Sequence, residues 1–351
     1  MNSTPDIPAA RQNAHHLDKP RFTAAEDLVG WMGAVQAQDY RMARWAVGMR
    51  LAGNAPRASV ERALSSGRIV RTHILRPTWH FVRSEDLRWM REISARSIIS
   101  AVAGFGKGGG RKLTESIYLE ANRRFRAILA DGRERTKQEL RAELVRGGWE
   151  IDLSALTCLT IRAEADGILC SGADRDGKPT YALLEDRIPD PGTALRGDAA
   201  LARLAEMYFR SHGPATLRDF AWWSGLSVSR ARRAMEAAGR TAGGGVQHPI
   251  GRTEDRTAGG KNRLHLLPAY DEYLIGYKDR SDVLEPRYFS KAFNRFGVFR
   301  PVILYGGRVV GNWSDAAGRM SACFFEPECS VKKECLDAAM ARYRAFRAEG
   351  K

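Results

Sequence analysis

No apolar stretch in this sequence approaches the roughly 18 residues that would suggest a membrane-spanning helix. The first residues, MNSTPDIPAARQNAHH, lack the basic start and apolar block of a secretory signal, so the expected compartment is the cytoplasm, in association with the nucleoid. Cysteine is scarce, with five residues at positions 158, 170, 323, 329 and 335. The odd number and the lack of any Cys-x-x-Cys pair argue against a disulfide framework or a zinc knuckle. Also missing are the Gly-x-Ser-x-Gly elbow, the His-Glu-x-x-His helix, the Gly-x-x-x-x-Gly-Lys-Ser/Thr phosphate loop and a dinucleotide fingerprint. These absences give an expectation of no metal and no cofactor. No long heptad pattern proposes a coiled-coil partner, and a monomer is expected.

What is present is positive charge. Lys and Arg number 56 against 41 Asp and Glu, a formal net charge of +15, and most of the cations are Arg. Arginine offers a planar fork of donors matched to phosphate oxygens, and a basic surface releases condensed counterions when it meets a duplex. Double-stranded DNA is the expected partner. The alternative is that the excess charge only keeps the protein soluble. Apolar residues at 44% and charged residues at 28% fit a folded globular chain, and 351 residues allow several domains.

The chain reads as mixed α and β, with winged-helix (helix-turn-helix) domains in tandem followed by a small C-terminal β-barrel. In the first domain, residues 1–98, Thr23 and Glu26 propose a capping box for a helix over 24–38, Ser59 a cap for a short helix stopping at Gly67, and RIVRTHIL with TWHFV a hairpin turning at Arg76-Pro77. The order recurs over 112–190. A helix from about Thr114 to Ala130 precedes the capping box Thr136/Glu139, Ser154 proposes a third cap, and GILCSG and TYALLED flank the turn DRDGKP. A third unit over 198–258 has Thr216 and Asp219 opening one helix, Gly225 breaking it and Ser227 capping the next; its wing, in the glycine-rich 241–260, reads equally as loop or hairpin. From 259 to 351 the signals are strands, RLHLLP, EYLIGY, RPVILY, RVVGNW and SACFFEP, then a helix opened by Ser330. The glycines of AGFGKGGGRK at 103–112 follow no apolar strand, so an interdomain loop is expected there rather than a phosphate cradle.

The informative segment is WMGAVQAQDY at 31–40. With Gln36, Ala37 and Gln38 it resembles the bacterial winged-helix proteins related to alkylpurine and crosslink-unhooking DNA glycosylases, whose signature is Gln, a hydrophobic residue, then Gln or Asp. The resemblance continues through RTHILRPTWHFV at 71–82, PATLRDFAWWSGLS at 214–227 and LLPAYDEYL at 266–274. It implies three tandem winged helices and a β-barrel with a basic concave face for duplex DNA. It also implies catalytic roles for Gln36 and Gln38. Without it, the two would read as solvated or capping amides at a helix end.

The chemistry suits an amide. Alkylation at N7 of guanine or N3 of adenine makes the base cationic, so it departs neutral without a general acid, and positive charge gathers on the sugar. A glutamine carbonyl can orient a water towards that centre. It is a poorer base than a carboxylate, which spares undamaged purines. Candidate DNA contacts are Arg71, His73 and Arg76 around the hairpin, Arg230, Arg232 and Arg233 on the helix after Ser227, and Lys278 and Arg280. Hairpin packing is the alternative for His73 and Arg76, and a solvated face for Arg230, Arg232 and Arg233. Asp271, Tyr273 and Tyr277 complete a polar cluster with Lys278 and Arg280. The competing functions are a winged-helix regulator that binds DNA without chemistry and an architectural or lesion-sensing protein.

Overall fold

The computed structural model describes residues 6–105, 113–190, 192, 195–241, 263–316, 318–327 and 331–348. They form two compact units, one from residues 62–201 and one from 1–61 with 202–351. Among the described residues no helix is long and apolar enough to cross a membrane.

The discontinuous unit opens with α1 (Ile7–Ala14), capped by Asp6, and α2 (Ala25–Met32). The expected capping box at Thr23 does not form: the helix starts at Ala25, its N-cap is Ala24, and no side chain bonds the first turn. Nor does α2 run to residue 38. Gly33, at φ 80°, ends it, and a Cβ there would also lie 3.3 Å from the Trp223 ring and 3.4 Å from Met207, so glycine answers both a backbone and a packing demand. A two-residue strand, β1 (Val35–Gln36), follows, and then α3 (Tyr40–Gly48), whose N-cap is Asp39 with its carboxylate accepting from Met42 N at 3.0 Å. Ser59 lies inside α4 (Arg57–Ser65) and bonds Pro56 O rather than capping.

Residues 62–201 carry β2 (Ile69–Ile74) and β3 (Thr78–Arg83), the expected hairpin, with Thr72 opposite His80 and His73 opposite Trp79. After α5 (Ser84–Phe105) come α6 (Glu115–Leu129), β4 (Arg135–Thr136), α7 (Lys137–Arg146), α8 (Leu153–Ala165), β5 (Leu169–Ser171), β6 (Thr180–Leu183) and α9 (Leu184–Arg187). β6 is the centre of a three-stranded antiparallel sheet in the order β4-β6-β5. The Thr136/Glu139 capping box forms in both directions. Asp152, not Ser154, caps α8, because the helix begins two residues earlier than its serine suggests. Phe125, Leu140, Leu144, Leu156 and Leu159 close the core with Ile98 and Val102 of α5. Each such side chain contributes about 1.5–3 kcal/mol by leaving water.

The chain returns through α10 (Gly197–His212) to α11 (Leu217–Ser224) and α12 (Val228–Ala237). Thr216 and Asp219 form their capping box, Gly225 takes the left-handed conformation, and Ser227 caps α12. The expected third wing and most of the 103–112 segment lie outside the described residues, as does Ser330. After β7 (Leu264–Leu267), EYLIGY is not a strand: residues Glu272–Ile275 form a helical turn, α13, capped by the Asp271 carboxylate on Tyr273 N at 2.9 Å. α14 (Phe289–Ala292), β8 (Val302–Tyr305), β9 (Arg308–Ala316), β10 (Arg319–Phe324) and α15 (Lys333–Ala348) complete the unit.

The expected barrel is corrected to an open sheet. Four antiparallel strands run in the order β10-β9-β8-β7, and among the described residues the two edge strands do not pair with each other. Closure would require that ladder. Instead α15 lies on the sheet, with Tyr343 edge-on to Trp313 of β9 at 4.8 Å and to Trp45 of α3 at 5.2 Å. Trp45 and Trp313 donate their indole N–H to Leu266 O and Leu267 O, both at 2.7 Å, which fixes α3 to β7.

Candidate active site

The Gln motif occupies the connection between α2 and α3. Residues Ala34, Val35 and Ala37 are buried and Gln36 is only 4% exposed, whereas Gln38 is exposed. In a continuous strand residues i and i+2 would share a face. Here β1 ends at Gln36 and the chain bends at Gln38 to enter α3, so the two amides sit at different depths. The sequence placed them at the end of a helix; the structure puts them between two.

Gln36 is held through its backbone. Its N–H donates to Glu272 Oε1 at 2.7 Å, and Glu272 Oε2 accepts from the Trp223 indole at 3.1 Å and lies 3.4 Å from His212 Nε2. A buried carboxylate is costly unless its lone pairs are satisfied, and these donors satisfy it while fixing β1 against α11 and α13. Gly276 permits the approach, since a Cβ there would fall 2.6 Å from Glu272 O and 2.7 Å from the His212 ring.

A second buried pair stands one residue away. Asp271 takes Arg50 in bidentate fashion, Nη1 to Oδ2 at 2.9 Å and Nη2 to Oδ1 at 2.7 Å, and Arg50 also donates to Ala46 O and His15 O. The Tyr277 hydroxyl donates to His212 O at 2.7 Å, so its oxygen receives the proton of His15 Nε2, 2.9 Å away, and His15 is the Nε2–H tautomer. Tyr273 donates to Gly307 O at 3.0 Å. The polar cluster noted in the sequence is therefore chiefly a buried scaffold behind the motif.

Burial holds the His15 imidazole well below its ordinary range, and His212, Arg50, Arg11 and His16 push the same way. The native chain thus keeps His15 neutral while the unfolded chain protonates it below about 6.5. Stability from this residue is present at neutral pH and is lost as pH falls through 6.5 towards the depressed native value. Urea unfolding between pH 7.5 and 5 should show that decline, and His15→Gln, which retains a donor without titrating, should flatten it. An unchanged slope in the variant would assign the acid sensitivity elsewhere.

Tyr270 was not singled out in the sequence. Its φ is 59°, a conformation that a bulky side chain rarely adopts and that often marks a functional site. Burial, then the charge of Asp39, the residue that follows Gln38, raises its phenol pKa. Its ring lies 6.2 Å from that of Phe299. Glu272 and Arg50 were likewise missed: nothing local distinguishes them, and the bonds that join Glu272 to Gln36 and Arg50 to Asp271 each span more than 200 residues of sequence.

The candidate DNA contacts divide by exposure. Arg230, Arg232 and Arg233 are exposed on α12, Lys278 is exposed with Nζ 4.6 Å over Trp222, and Arg76 is half-buried at the hairpin turn. Arg71 and His73 are buried in β2. Arg71 lies 4.0 Å over the Trp79 ring, and His73 pairs through Nδ1 and its backbone N–H with Glu164 Oε2 at 2.9 and 2.8 Å. Arg280 is buried as well, donating to Leu274 O at 2.8 Å. Among the described residues no group of three or more His, Cys, Asp or Glu could hold a metal ion.

A family model described as DNA glycosylase AlkZ-like matches residues 29–346. The interstrand DNA cross-link repair glycosylase of Streptomyces sahachiroi is 28% identical over 366 residues, covering 95% of this chain and 95% of that protein. The solved structure of Streptomyces sahachiroi DNA glycosylase AlkZ has the same fold, with a TM-score of 0.77 at 22% identity over 98% of this chain and 96% of that one.

Proposed function

Since the chain belongs to the AlkZ-like DNA glycosylase family, we propose that it hydrolyses the N-glycosidic bond of N7-alkylguanine and N3-alkyladenine in duplex DNA, and of interstrand cross-links built on such adducts. The DNA glycosylase activity follows from that membership. The observation that carries the finer reading is the exposed Gln38 amide beside a Gln36 whose backbone is clamped by Glu272. Gln38 orients the attacking water, and Gln36, deeper, holds the arrangement in register. The C1′–N bond breaks with its electron pair going to the cationic purine, and the water oxygen closes on C1′ while its proton leaves to solvent. Preorganised polar groups of this kind act on the transition state at no reorganisation cost.

In this reading residues 1–98, 112–190 and 198–258 each follow the helix order of a winged helix. α12 docks on DNA as the second helix of the α11–α12 pair, Arg76 and Lys278 add phosphate contacts, and the buried Arg71, His73 and Arg280 shape the elements behind them. The protein works as a monomer on the nucleoid. Affinity for random duplexes should fall with a log-log salt slope of several units. Replacing Arg230, Arg232 and Arg233 together by Ala should lower that slope and weaken binding, while single-turnover excision at saturating protein stays close to wild type. Collapse of saturated excision with intact binding would remove the docking role.

The test of the substrate is alkaline cleavage of N7-methylated duplex after incubation with the protein. Strand breaks at guanines are expected, because excision leaves abasic sites. An intact strand at saturating protein would rule out these adducts as substrates.

A further inference from the structure

Residues 287–300, RYFSKAFNRFGVFR, contain four cations, five aromatics and no acid. Basic residues interleaved with aromatics are the composition of surfaces that meet nucleic-acid backbones and base faces together. Residues 293–300 fold into a tight loop. Asn294 Oδ1 accepts from Phe296 N at 2.9 Å and Val298 N at 3.1 Å, Asn294 N donates to Val298 O at 3.1 Å, and Gly297 turns the chain at φ 78°. The loop is closed below by a bridge between Phe293 and Phe299, whose rings stack at 5.2 Å. Beneath both rings lies the buried Arg280 guanidinium, 4.9 and 5.0 Å from their centroids.

At the tip of this braced loop Phe296 is 76% exposed, the most exposed large hydrophobic side chain among the described residues. Arg295 lies 4.8 Å over its ring, and Arg300 and Lys291 are exposed nearby in the chain. A lone exposed aromatic needs no explanation. One held on a hydrogen-bonded tip among cations, with no carboxylate in the segment, calls for a polyanionic partner that also offers a flat apolar face. The root of the loop is linked to the active site, because Phe299 packs on Tyr270, two residues before Glu272, whose carboxylate holds the backbone N–H of Gln36.

We propose that Phe296 is an apolar wedge that enters the base stack of duplex DNA next to the nucleotide presented to Gln38, with Arg295 and Arg300 on the flanking phosphates. The inference rests on the reading of Gln38 as the reacting end of the site. Inserted apolar side chains unstack a base step and are repaid by the contacts that the opened step allows. Braced on the Phe293–Phe299 pair, Phe296 would enter with little loop entropy left to lose.

The test needs no excision. Duplexes carrying 2-aminopurine at single positions are titrated with wild-type protein, Phe296→Ala and Phe296→Leu. Anisotropy reports binding, 2-aminopurine fluorescence reports unstacking, and thermal melting checks the fold. Wild type should raise the fluorescence several-fold at one step. Phe296→Ala should still bind, about tenfold more weakly, but lose most of the rise, and Phe296→Leu, still an apolar wedge, should retain it. An equal rise with Phe296→Ala, or no rise with bound wild type, would overturn the wedge. Excision of N7-methylguanine, scored in parallel, keeps the two readings apart: unstacking without excision leaves the wedge standing and removes the substrate, and excision without unstacking does the reverse.

Discussion

Replacing Asp271 with Ala is expected to cost the fold about 3–5 kcal/mol, the penalty for leaving one member of a buried ion pair without the other. Arg50 and Asp271 are 2% and 1% exposed, and the carboxylate both receives two guanidinium bonds and caps α13 through Tyr273 N. Its loss strands the Arg50 charge with only the carbonyls of Ala46 and His15. Total stabilities run about 5–15 kcal/mol, so the variant should melt far below wild type. The double variant Arg50→Met/Asp271→Asn, which removes both charges, should lose less than the sum of the single changes. Urea unfolding measures all of them, and a loss below about 1 kcal/mol in Asp271→Ala would mean that the pair does not hold the chain after α3 to the cap of α13. The same change is expected to loosen Glu272, the next residue, whose carboxylate holds the backbone N–H of Gln36.

Gln38→Ala is expected to slow single-turnover excision of N7-alkylguanine by about 10²–10³, the scale for removing one preorganised polar group from a transition state. The side chain is exposed and neutral, so neither folding nor counterion release should change, and affinity for an uncleavable duplex should stay within about a factor of two. Gln36→Ala should be impaired as well. Its backbone bond to Glu272 survives the change, so whatever rate is lost belongs to the side chain. A Gln38→Ala protein that binds and excises as wild type does would make the exposed amide incidental.

Local signals in the sequence foretold local structure. Thr136 with Glu139, Thr216 with Asp219, and Ser227 ahead of an arginine-rich helix are contained within one turn each, and the structure forms all three caps. The caps read at Thr23, Ser59 and Ser154 did not form, because each helix starts at another residue than its hydroxyl suggests; the larger failures depended on distant partners. The apolar periodicity of α2 runs on through Val35, but the helix stops where Gly33 takes φ 80° and packs on Trp223 and Met207. EYLIGY has the composition of a strand but is wound into a turn by the Asp271 cap, a residue also pinned by Arg50. A run of short strands suits an open sheet as well as a barrel, and the difference lies in edge pairing and in α15, which the strand sequences do not encode. In the site, the Gln triplet was legible as a motif. Its division into a buried and an exposed amide was not, because the bend at Gln38 and the Glu272 clamp arise only in three dimensions.

The most direct measurement is the single-turnover rate of abasic-site formation in a duplex with one N7-methylguanine, for wild type beside a Gln36→Ala/Gln38→Ala double variant shown by melting to be folded. Wild type should convert the strand to an alkali-labile product, and the double variant should be slower by at least the factor lost in Gln38→Ala alone. Full activity in the folded double variant would contradict the account and return the two glutamines to a structural role.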